Sequence, residues 1–313
     1  MKVLLTDDVH PVMVERLHAA GIECHIDTHC DRERLIEAMN GYDAIVVRSK
    51  ISVDRALIDQ AKTLRCIARV GAGMETIDVD YAESRGIKCI NSPEGNRDAV
   101  GEHAVGMLLA LMDRIVVADR EVRCGIWHRE ANRGMELNCQ TVGLIGFGNM
   151  GSSFAEKLRG FGCRIIAYDK YKPVGYAPDY VEEVSLEYLQ QYSDIVSLHV
   201  PLTDETRGMV CSSFIAAFEH PVILINTSRG AVVRTPDLVK AMREGRVTGV
   251  ALDVIEYENM AVDGLAMSNL PDEFQYLAQS PNTVLTPHVA GWTIESRYKL
   301  AAVLADKIIE ALC

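Results

Sequence analysis

The sequence lacks the features of a secreted, membrane-spanning or nucleic-acid-binding protein. Its nine cysteines are odd in number and form no C-x-x-C pair, which argues against a disulfide framework or a zinc site and favours reduced thiols. No apolar run approaches the roughly 18 residues of a membrane span, and the N-terminal MKVLLTDD lacks the long apolar region of a signal peptide. Acidic residues outnumber basic ones, 44 to 32, and the formal charge of −12 argues against nucleic acid or an anionic membrane as the main partner. We expect a cytoplasmic protein that holds no metal ion.

The chain does have enough apolar residues for a large core, since 48% of its 313 residues are hydrophobic. Strand-like runs alternate with helical runs from the N-terminus onward, which is typical of α/β domains. The predicted strands are 3–6, 44–47, 64–68, 87–90, 141–145, 164–168, 195–198, 222–225, 249–252 and 283–285. A long helix is predicted over 98–122 and a last helix over 293–312. Two domains are expected, one formed by 1–94 with 287–313 and one by 95–286.

The stretch VGLIGFGNMG, residues 142–151, carries the spacing G-x-G-x-x-G between a predicted strand and a predicted helix. Gly146 permits a tight turn, Gly148 lets a pyrophosphate approach the backbone, and Gly151 lets the helix pack on the strand. The N–H groups at the helix start would bind the phosphates. The next strand ends at Asp169, 169 − 151 = 18 positions after the last glycine and close to the roughly 20 expected for an acid that binds ribose hydroxyls. The stretch predicts a dinucleotide site, and the Asp169 carboxylate favours NAD because it would repel the 2′-phosphate of NADP.

In three later segments, chemically active side chains follow the end of a predicted strand. The segments are INTSRGAVV (225–233), ALDVIEYEN (251–259) and VLTPHVAGWT (284–293). Ligands of open α/β sheets bind at the carboxyl ends of the strands. We therefore expect Arg229, Glu258 and His288 to converge on one site although they lie far apart in the sequence.

These segments, together with four further motifs, resemble the D-2-hydroxyacid dehydrogenases, and within them the D-3-phosphoglycerate dehydrogenases. The further motifs are VVRSK (46–50), ARVGAGMETIDVD (68–80), NSPEGNRDAVGEHA (91–104) and SLHVPLT (197–203). The resemblance covers nearly the whole chain. It implies an α/β fold of two Rossmann-like domains, one flavodoxin-like and one NAD-binding, with a cleft between them. It also implies oxidation of a D-2-hydroxyacid by NAD, and a homodimer held mainly by the nucleotide domain.

The resemblance assigns catalytic roles to Arg229, Glu258 and His288. His288 would exchange a proton with the substrate hydroxyl, Glu258 would orient the imidazole and raise its pKa, and Arg229 would hold the substrate carboxylate. Glu256 stays open as the alternative to Glu258, because the proline that usually follows the family's glutamate is Asn259 in this chain.

The same motifs imply the binding residues. Besides Gly146, Gly148, Gly151 and Asp169, the cofactor-binding set comprises Asn149, Met150, Val200, Pro201, Thr227, Ser228, Asp253 and Gly291. The substrate-binding set comprises Arg48, Ser49, Arg69, Ala72 and Gly73. The two arginines are the candidates for a substrate phosphate, since arginine pairs bidentately with phosphate oxygens; ordinary surface ion pairing is the alternative.

The chain departs from the phosphoglycerate dehydrogenase pattern at three further places. The segment between Glu258 and His288 is several residues longer, and Trp292 follows the motif TPHVAG. This tryptophan would narrow the cleft, cover the nicotinamide, or pack at the start of a helix. The chain ends at Cys313 without a C-terminal regulatory domain, so feedback through such a domain is not expected.

Three functional interpretations remain open at this point. The first is a phosphoglycerate dehydrogenase. The second is an enzyme for another 2-hydroxyacid, such as erythronate 4-phosphate, glycerate, glyoxylate or lactate. The third is a non-catalytic NAD-sensing module, against which the intact set of Arg229, Glu258 and His288 argues.

Overall fold

The computed structural model describes residues 1–258 and 270–313. The chain forms two compact units, 1–98 with 292–313 and 99–291. These boundaries lie 98 − 94 = 4 and 291 − 286 = 5 residues beyond the expected ones. Each unit is built around its own parallel sheet.

The first unit has a five-stranded parallel sheet of order β2-β1-β3-β4-β5. This is the flavodoxin-like order, which reverses direction between β1 and β3. The central strand β3 is buried at all four residues, as expected where helices cover both faces of a sheet. The strands are β1 Lys2–Leu5, β2 Glu23–Ile26, β3 Ala44–Val47, β4 Cys66–Arg69 and β5 Lys88–Asn91.

Strand β2 was not predicted from the sequence. It lies at the edge of the sheet, and none of its four residues is fully buried. An edge strand of this kind carries almost no apolar signal, because only part of each face is covered.

Helices pack on both faces of this sheet. They are Val12–Ala19, Arg32–Ala38, Arg55–Ile58, Val79–Ser84 and Ile294–Leu312. The last of them begins as predicted, with Thr293 and Ser296 forming a reciprocal capping box. Its buried residues Ala301, Leu304 and Ile308 belong to the same apolar cluster as Val3 and Leu5 of β1. The end of the chain thereby completes the first unit's core.

The second unit has a seven-stranded parallel sheet of order β12-β11-β10-β9-β6-β7-β8. Six of these strands follow the dinucleotide-binding order, with its reversal between β6 and β9. Ligands of such sheets bind where the order reverses, at the carboxyl ends of the strands. The strands are β6 Thr141–Ile145, β7 Arg164–Tyr168, β8 Glu182–Glu183, β9 Ile195–Leu198, β10 Val222–Asn226, β11 Val247–Leu252 and β12 Thr283–Leu285.

One helix prediction was wrong. The single helix expected over 98–122 is two helices, Arg97–Met112 and Ile115–Arg123. Arg114 adopts a left-handed backbone at φ 55°, which ends the first helix. Ile115 is 53% exposed and no residue of the second helix is buried, so its apolar residues lie on the surface.

The remaining helices of the second unit follow the predicted alternation. They are Asn149–Leu158, Leu186–Tyr192, Ser212–Ala216, Thr235–Arg243 and Asp272–Gln279. Gly245, with φ 73°, follows Thr235–Arg243 where the stop was predicted. Among the described residues, none of the helices is both long and apolar enough to span a bilayer.

Candidate active site

The glycine loop after β6 has room for a ligand at one position and none at two others. Gly146 has φ 90°, and a Cβ atom there would lie 2.4 Å from the His199 carbonyl oxygen. A Cβ atom on Gly151 would lie 2.2 Å from the Gly146 carbonyl oxygen. Gly148, by contrast, has nothing within 4 Å of its missing Cβ. Gly146 and Gly151 are therefore required by the turn itself, whereas Gly148 leaves open space above it.

The surroundings of this loop fit a dinucleotide. The helix Asn149–Leu158 starts directly after Gly148, so the N–H groups of its first turn need partners from outside the helix. The Thr227 hydroxyl oxygen is buried and has no hydrogen-bond partner within residues 1–258 and 270–313. A bound cofactor would satisfy such groups.

Asp169 lies against the glycine loop. One carboxylate oxygen accepts the Phe147 N–H at 2.8 Å and the other accepts the Tyr171 N–H at 3.0 Å. The Lys172 ammonium group donates to the Phe147 carbonyl oxygen at 2.5 Å. This lysine brings a positive charge to the loop, and no sequence motif predicts it.

The other predicted cofactor residues lie in the segments that follow β6, β9 and β12. Asn149 and Met150 are half-buried in the first turn of the helix, and Val200 is half-buried after β9. Pro201 is exposed. Gly291 is the last residue of the second unit.

His288 and Glu258 form a hydrogen-bonded pair. The His288 Nδ1 atom lies 3.0 Å from a Glu258 carboxylate oxygen, and the other oxygen accepts the Ile255 N–H at 3.1 Å. Glu256 points elsewhere and accepts the Thr235 N–H at 2.9 Å. The structure thus brings Glu258 to the histidine, and not Glu256.

The environment of His288 favours its charged form. The hydrogen bond that the Glu258 carboxylate accepts from the imidazole raises the pKa of His288 above its usual value, partial burial opposes this, and the Glu258 and Asp253 charges add to the rise. The Arg229 cation acts in the opposite direction. About half of the His288 side chain, 49%, remains exposed, so it is open to a ligand.

Asp253 holds the loop that carries His288. Its carboxylate is 1% exposed and accepts the Thr286 hydroxyl at 2.6 Å and the Val289 and Ala290 N–H groups at 2.9 Å each. Its carbonyl oxygen accepts the His288 N–H at 2.8 Å. These bonds support His288 at φ 55°, a left-handed backbone conformation that few non-glycine residues adopt. No sequence motif predicts this supporting role, and the expected contact of Asp253 with the cofactor stays a prediction.

The turn after β10 presents Arg229. Buried Asn226 accepts the Ser228 N–H at 3.0 Å and the Ser228 hydroxyl at 2.7 Å, and its amide donates to the Arg229 carbonyl at 3.0 Å. A Cβ atom on Gly230 would lie 2.0 Å from the carbonyl oxygen of Ile255. The glycine of the SRG motif therefore allows the loops after β10 and β11 to touch, which brings Arg229 toward the pair of His288 and Glu258.

The predicted substrate residues Arg48 and Ser49 follow β3 in the first unit. The Arg48 backbone N–H donates to Asp7 at 3.0 Å. The Arg48 guanidinium carbon lies 4.1 Å from the ring centre of Trp292, and the tryptophan is 65% exposed. This stacking contact is a role for Trp292 that the sequence did not predict.

Arg69 ends β4, next to β3 in the sheet. Its Nη1 atom would lie 1.9 Å from a Cβ atom on Gly71, so the Arg69 side chain folds back over Gly71, whose φ of 139° favours glycine. Ala72 and Gly73 are half-buried in the following loop, and the Ala72 carbonyl accepts the Asn91 amide at 2.6 Å.

Part of the longer segment predicted between Glu258 and His288 lies outside the described residues, at 259–269. In the remainder of the chain, no group of three or more His, Cys, Asp or Glu side chains is arranged to hold a metal ion.

The two parallel sheets and the glycine loop at the β6 strand end define a dinucleotide-binding α/β protein. Residues 105–290 match the family model described as D-isomer specific 2-hydroxyacid dehydrogenase, NAD binding domain. The chain belongs to this family, and its second unit contains the family's NAD-binding domain. The predictions of the family, of the fold class and of NAD as the cofactor are confirmed.

Similar proteins carry different substrate names. The chain is 37% identical over 285 residues to a hydroxypyruvate reductase of Thermotoga maritima, covering 91% of this chain and 89% of that protein. It is 34% identical over 310 residues to a D-3-phosphoglycerate dehydrogenase of Archaeoglobus fulgidus, covering 99% of this chain but 57% of that protein. A solved D-lactate dehydrogenase from Aquifex aeolicus, complexed with NAD and lactic acid, superposes with a TM-score of 0.80 at 27% identity, over 99% of this chain and 93% of that one. The chain thus spans little more than half the length of the phosphoglycerate dehydrogenase.

Proposed function

We propose that this chain is an NAD-dependent dehydrogenase that interconverts a D-2-hydroxyacid and its 2-keto acid. The observation that carries the proposal is the hydrogen bond of 3.0 Å between His288 Nδ1 and Glu258. Among the described residues, the second imidazole nitrogen, Nε2, has no hydrogen-bond partner. The ring is therefore oriented through one nitrogen and can exchange a proton with a ligand through the other.

His288 is the proposed general acid and base. During oxidation its Nε2 atom accepts the hydroxyl proton of the substrate, and during reduction it returns a proton to the carbonyl oxygen. Glu258 stabilises the protonated ring, and the forked donors of Arg229 bind the substrate carboxylate. NAD, held by the loop from Gly146 to Gly151, supplies the hydride acceptor when it is bound.

Asp169 is proposed to make the site selective for NAD. A carboxylate beside the glycine loop can accept ribose hydroxyls, whereas a 2′-phosphate would bring like charges together. We expect kcat/KM with NADH to exceed that with NADPH. Equal or higher values with NADPH would contradict this assignment.

The proposed substrate is a phosphorylated acid, 3-phosphoglycerate in one direction and 3-phosphohydroxypyruvate in the other. Arg48 and Arg69 supply positive charge at the ends of β3 and β4 in a chain with a net charge of −12. A dianionic substrate needs such local cations to bind. The second candidate is an unphosphorylated acid such as glycerate, because the hydroxypyruvate reductase is matched along 89% of its length.

A homodimer is proposed from an exposed apolar surface on the second unit. The surface comprises Ile115, Val116, Val122, Ile126, Trp127 and Met135, each at least 40% exposed. Apolar surfaces of this kind mark interaction sites, and a second copy of the chain is the partner we propose.

The nine free thiols support a reducing compartment such as the cytoplasm.

The test is NADH oxidation with a panel of 2-keto acids: 3-phosphohydroxypyruvate, hydroxypyruvate, glyoxylate and pyruvate. The informative variant is His288→Asn, since asparagine tolerates the left-handed backbone better than most residues. We expect kcat to fall by about 10²–10⁴-fold, the usual worth of positioned proton transfer, with NADH affinity unchanged. Exposed His220 provides the matched control, and His220→Asn should leave kcat unchanged.

Two outcomes would overturn parts of this proposal. Near wild-type kcat in His288→Asn would remove His288 from the mechanism. Tight NADH binding without turnover of any 2-keto acid would instead support the NAD-sensing module.

A further inference from the structure

Arg48 lies at the point where the strand order of the first unit's sheet reverses. It follows β3, and its backbone N–H donates to Asp7, which follows the adjacent strand β1, at 3.0 Å. Sheets of this order bind ligands at this point. The half-buried Arg48 side chain is therefore placed where a ligand is expected.

Within the described parts of the chain, the Arg48 guanidinium forms no salt bridge. It stacks on Trp292, at 4.1 Å from the ring centre. The neighbouring charges are otherwise engaged: Asp8 pairs with Arg297 at 2.6 Å, and Asp7 accepts the Arg48 backbone N–H. Partial burial lowers the pKa of the Arg48 guanidinium and the Arg297 cation adds to this, whereas the Asp7 and Asp8 charges oppose it; an arginine nevertheless remains charged.

Partial burial of a cation that is not paired with an anion costs free energy, and the stacking with Trp292 offsets part of that cost. Tryptophan is the aromatic residue that attracts a cation most strongly. Stacking occupies the face of the guanidinium and leaves the N–H donors, which lie in its plane, free to bind. The Trp292 ring thus restrains the Arg48 guanidinium without occupying its hydrogen-bond donors.

We propose that Trp292 is a positioning residue for specificity, which seats the Arg48 guanidinium so that its free donors bind the second anionic group of a substrate. This inference rests on the proposed function, and it names the substrate class as 2-keto acids with a phosphate or a second carboxylate. It also accounts for a tryptophan at the position where the sequence departs from the phosphoglycerate dehydrogenase pattern.

The kinetic test compares 3-phosphohydroxypyruvate and oxaloacetate with hydroxypyruvate, which has no second anionic group. Trp292→Ala should raise KM for at least one of the first two by about 3- to 30-fold, the range expected for a cation–π contact. It should leave kcat for all three, and KM for hydroxypyruvate, within about twofold. The substrate that responds more strongly identifies phosphate or carboxylate as the preferred group. Trp292→Phe keeps an aromatic face, so its KM should stay close to the wild-type value.

A double-mutant cycle distinguishes positioning from packing. Once Arg48→Ala has removed the guanidinium, Trp292→Ala should have no further effect on KM. Equal losses on all three substrates, or an undiminished effect in the Arg48→Ala background, would overturn the inference and leave Trp292 a packing residue.

A binding measurement tests the site without turnover. The chain has two tryptophans, so Trp127→Phe leaves Trp292 as the only tryptophan fluorophore. Titration of this variant with inorganic phosphate should change the emission saturably, and Arg48→Ala should abolish the change. A flat titration beside normal 2-keto acid turnover would overturn the inference alone, whereas a saturable titration without turnover would sink only the proposed function.

Discussion

At the residue scale, the pair of His288 and Glu258 depends on a third side chain. Asp253 is buried at the end of β11 and binds the loop from Thr286 to Ala290 through its carboxylate and its carbonyl oxygen. The left-handed backbone of His288 at φ 55° costs about 1–3 kcal/mol. The Asp253 hydrogen bonds offset that cost. The orientation of the proposed acid, His288, therefore depends on a buried side chain that supports its loop.

Glu258→Gln should shift the pH dependence of reduction to lower pH. The carboxylate hydrogen bond is the main cause of the raised His288 pKa, and a neutral amide removes its charge. Reduction requires protonated His288, so activity is present below the pKa and is lost as pH rises through it. A lower pKa therefore moves the loss of activity to lower pH, measurable as kcat/KM for hydroxypyruvate against pH.

The matched control is Glu256→Gln. Glu256 accepts the Thr235 N–H, and glutamine can still accept it, so the pH profile should stay unchanged. A shift in Glu256→Gln without one in Glu258→Gln would show that the pairing is misassigned.

Asp253→Asn should reduce both stability and turnover. Both Asp253 carboxylate oxygens accept backbone N–H groups, from Val289 and Ala290, and an amide NH₂ would face one of them. Leaving a buried donor unsatisfied costs about 1–3 kcal/mol, which urea unfolding would measure. Exposed Asp204 serves as the control: Asp204→Asn should change the free energy of unfolding by less than about 0.5 kcal/mol. An equally stable and active Asp253→Asn variant would contradict the supporting role.

At the scale of elements, the turn between β6 and the helix Asn149–Leu158 separates two uses of glycine. Gly151 and Gly146 contact neighbouring backbone, so their lack of a side chain serves the fold. Gly148 has open space around its missing Cβ and an ordinary φ of −80°, so its lack of a side chain serves the ligand.

Gly148→Ala should therefore weaken NADH binding without destabilising the protein. The methyl group would occupy the space through which the pyrophosphate approaches, and we expect Kd to rise by about tenfold, or 1.4 kcal/mol. Gly151→Ala is the contrasting variant, since its Cβ atom would meet the Gly146 carbonyl at 2.2 Å and should cost about 1–3 kcal/mol of stability. Fluorescence titration and thermal unfolding distinguish the two. Loss of stability in Gly148→Ala would show that this glycine also serves the fold.

At the scale of the whole molecule, the exposed apolar surface that includes Trp127 is the feature left to explain. Trp127 is 80% exposed, and the helix Ile115–Arg123 beside it in sequence has no buried residue. Such a helix has little apolar contact within its own chain, so its apolar residues are available for a partner.

Trp127→Glu should convert the proposed dimer into a monomer. Light scattering should give twice the chain mass of 34.6 kDa for the wild type and the single-chain mass for the variant, because a charge at an apolar interface is costly to bury. Val174, 97% exposed outside this surface, provides the control, and Val174→Glu should remain dimeric. A monomeric wild type would refute the dimer proposal.

The sequence by itself determined the local elements and the order in which they occur. Apolar runs in the sequence predicted β3, β6, β7, β9 and β12 at their observed bounds, because the residues that a parallel sheet buries between its helices are mostly apolar. The glycine spacing, together with the strand before it and the helix after it, predicted the glycine turn and placed Asp169 after the second strand of the nucleotide unit. Strand ends also indicated that Arg229 and His288 belong to one site, since parallel strands end at the same edge.

Tertiary structure decided what depends on contacts between distant segments. Which glutamate meets His288 was open in the sequence, because Glu256 and Glu258 are two positions apart and of the same type. In the folded chain Glu256 accepts the Thr235 N–H, and Glu258 is hydrogen-bonded to the His288 imidazole. The break at Arg114 and the stacking of Trp292 on Arg48 carry no local signal either. Local propensity and periodicity describe how one segment buries its own apolar face, whereas charge pairing and stacking depend on partners that only the folded chain brings together.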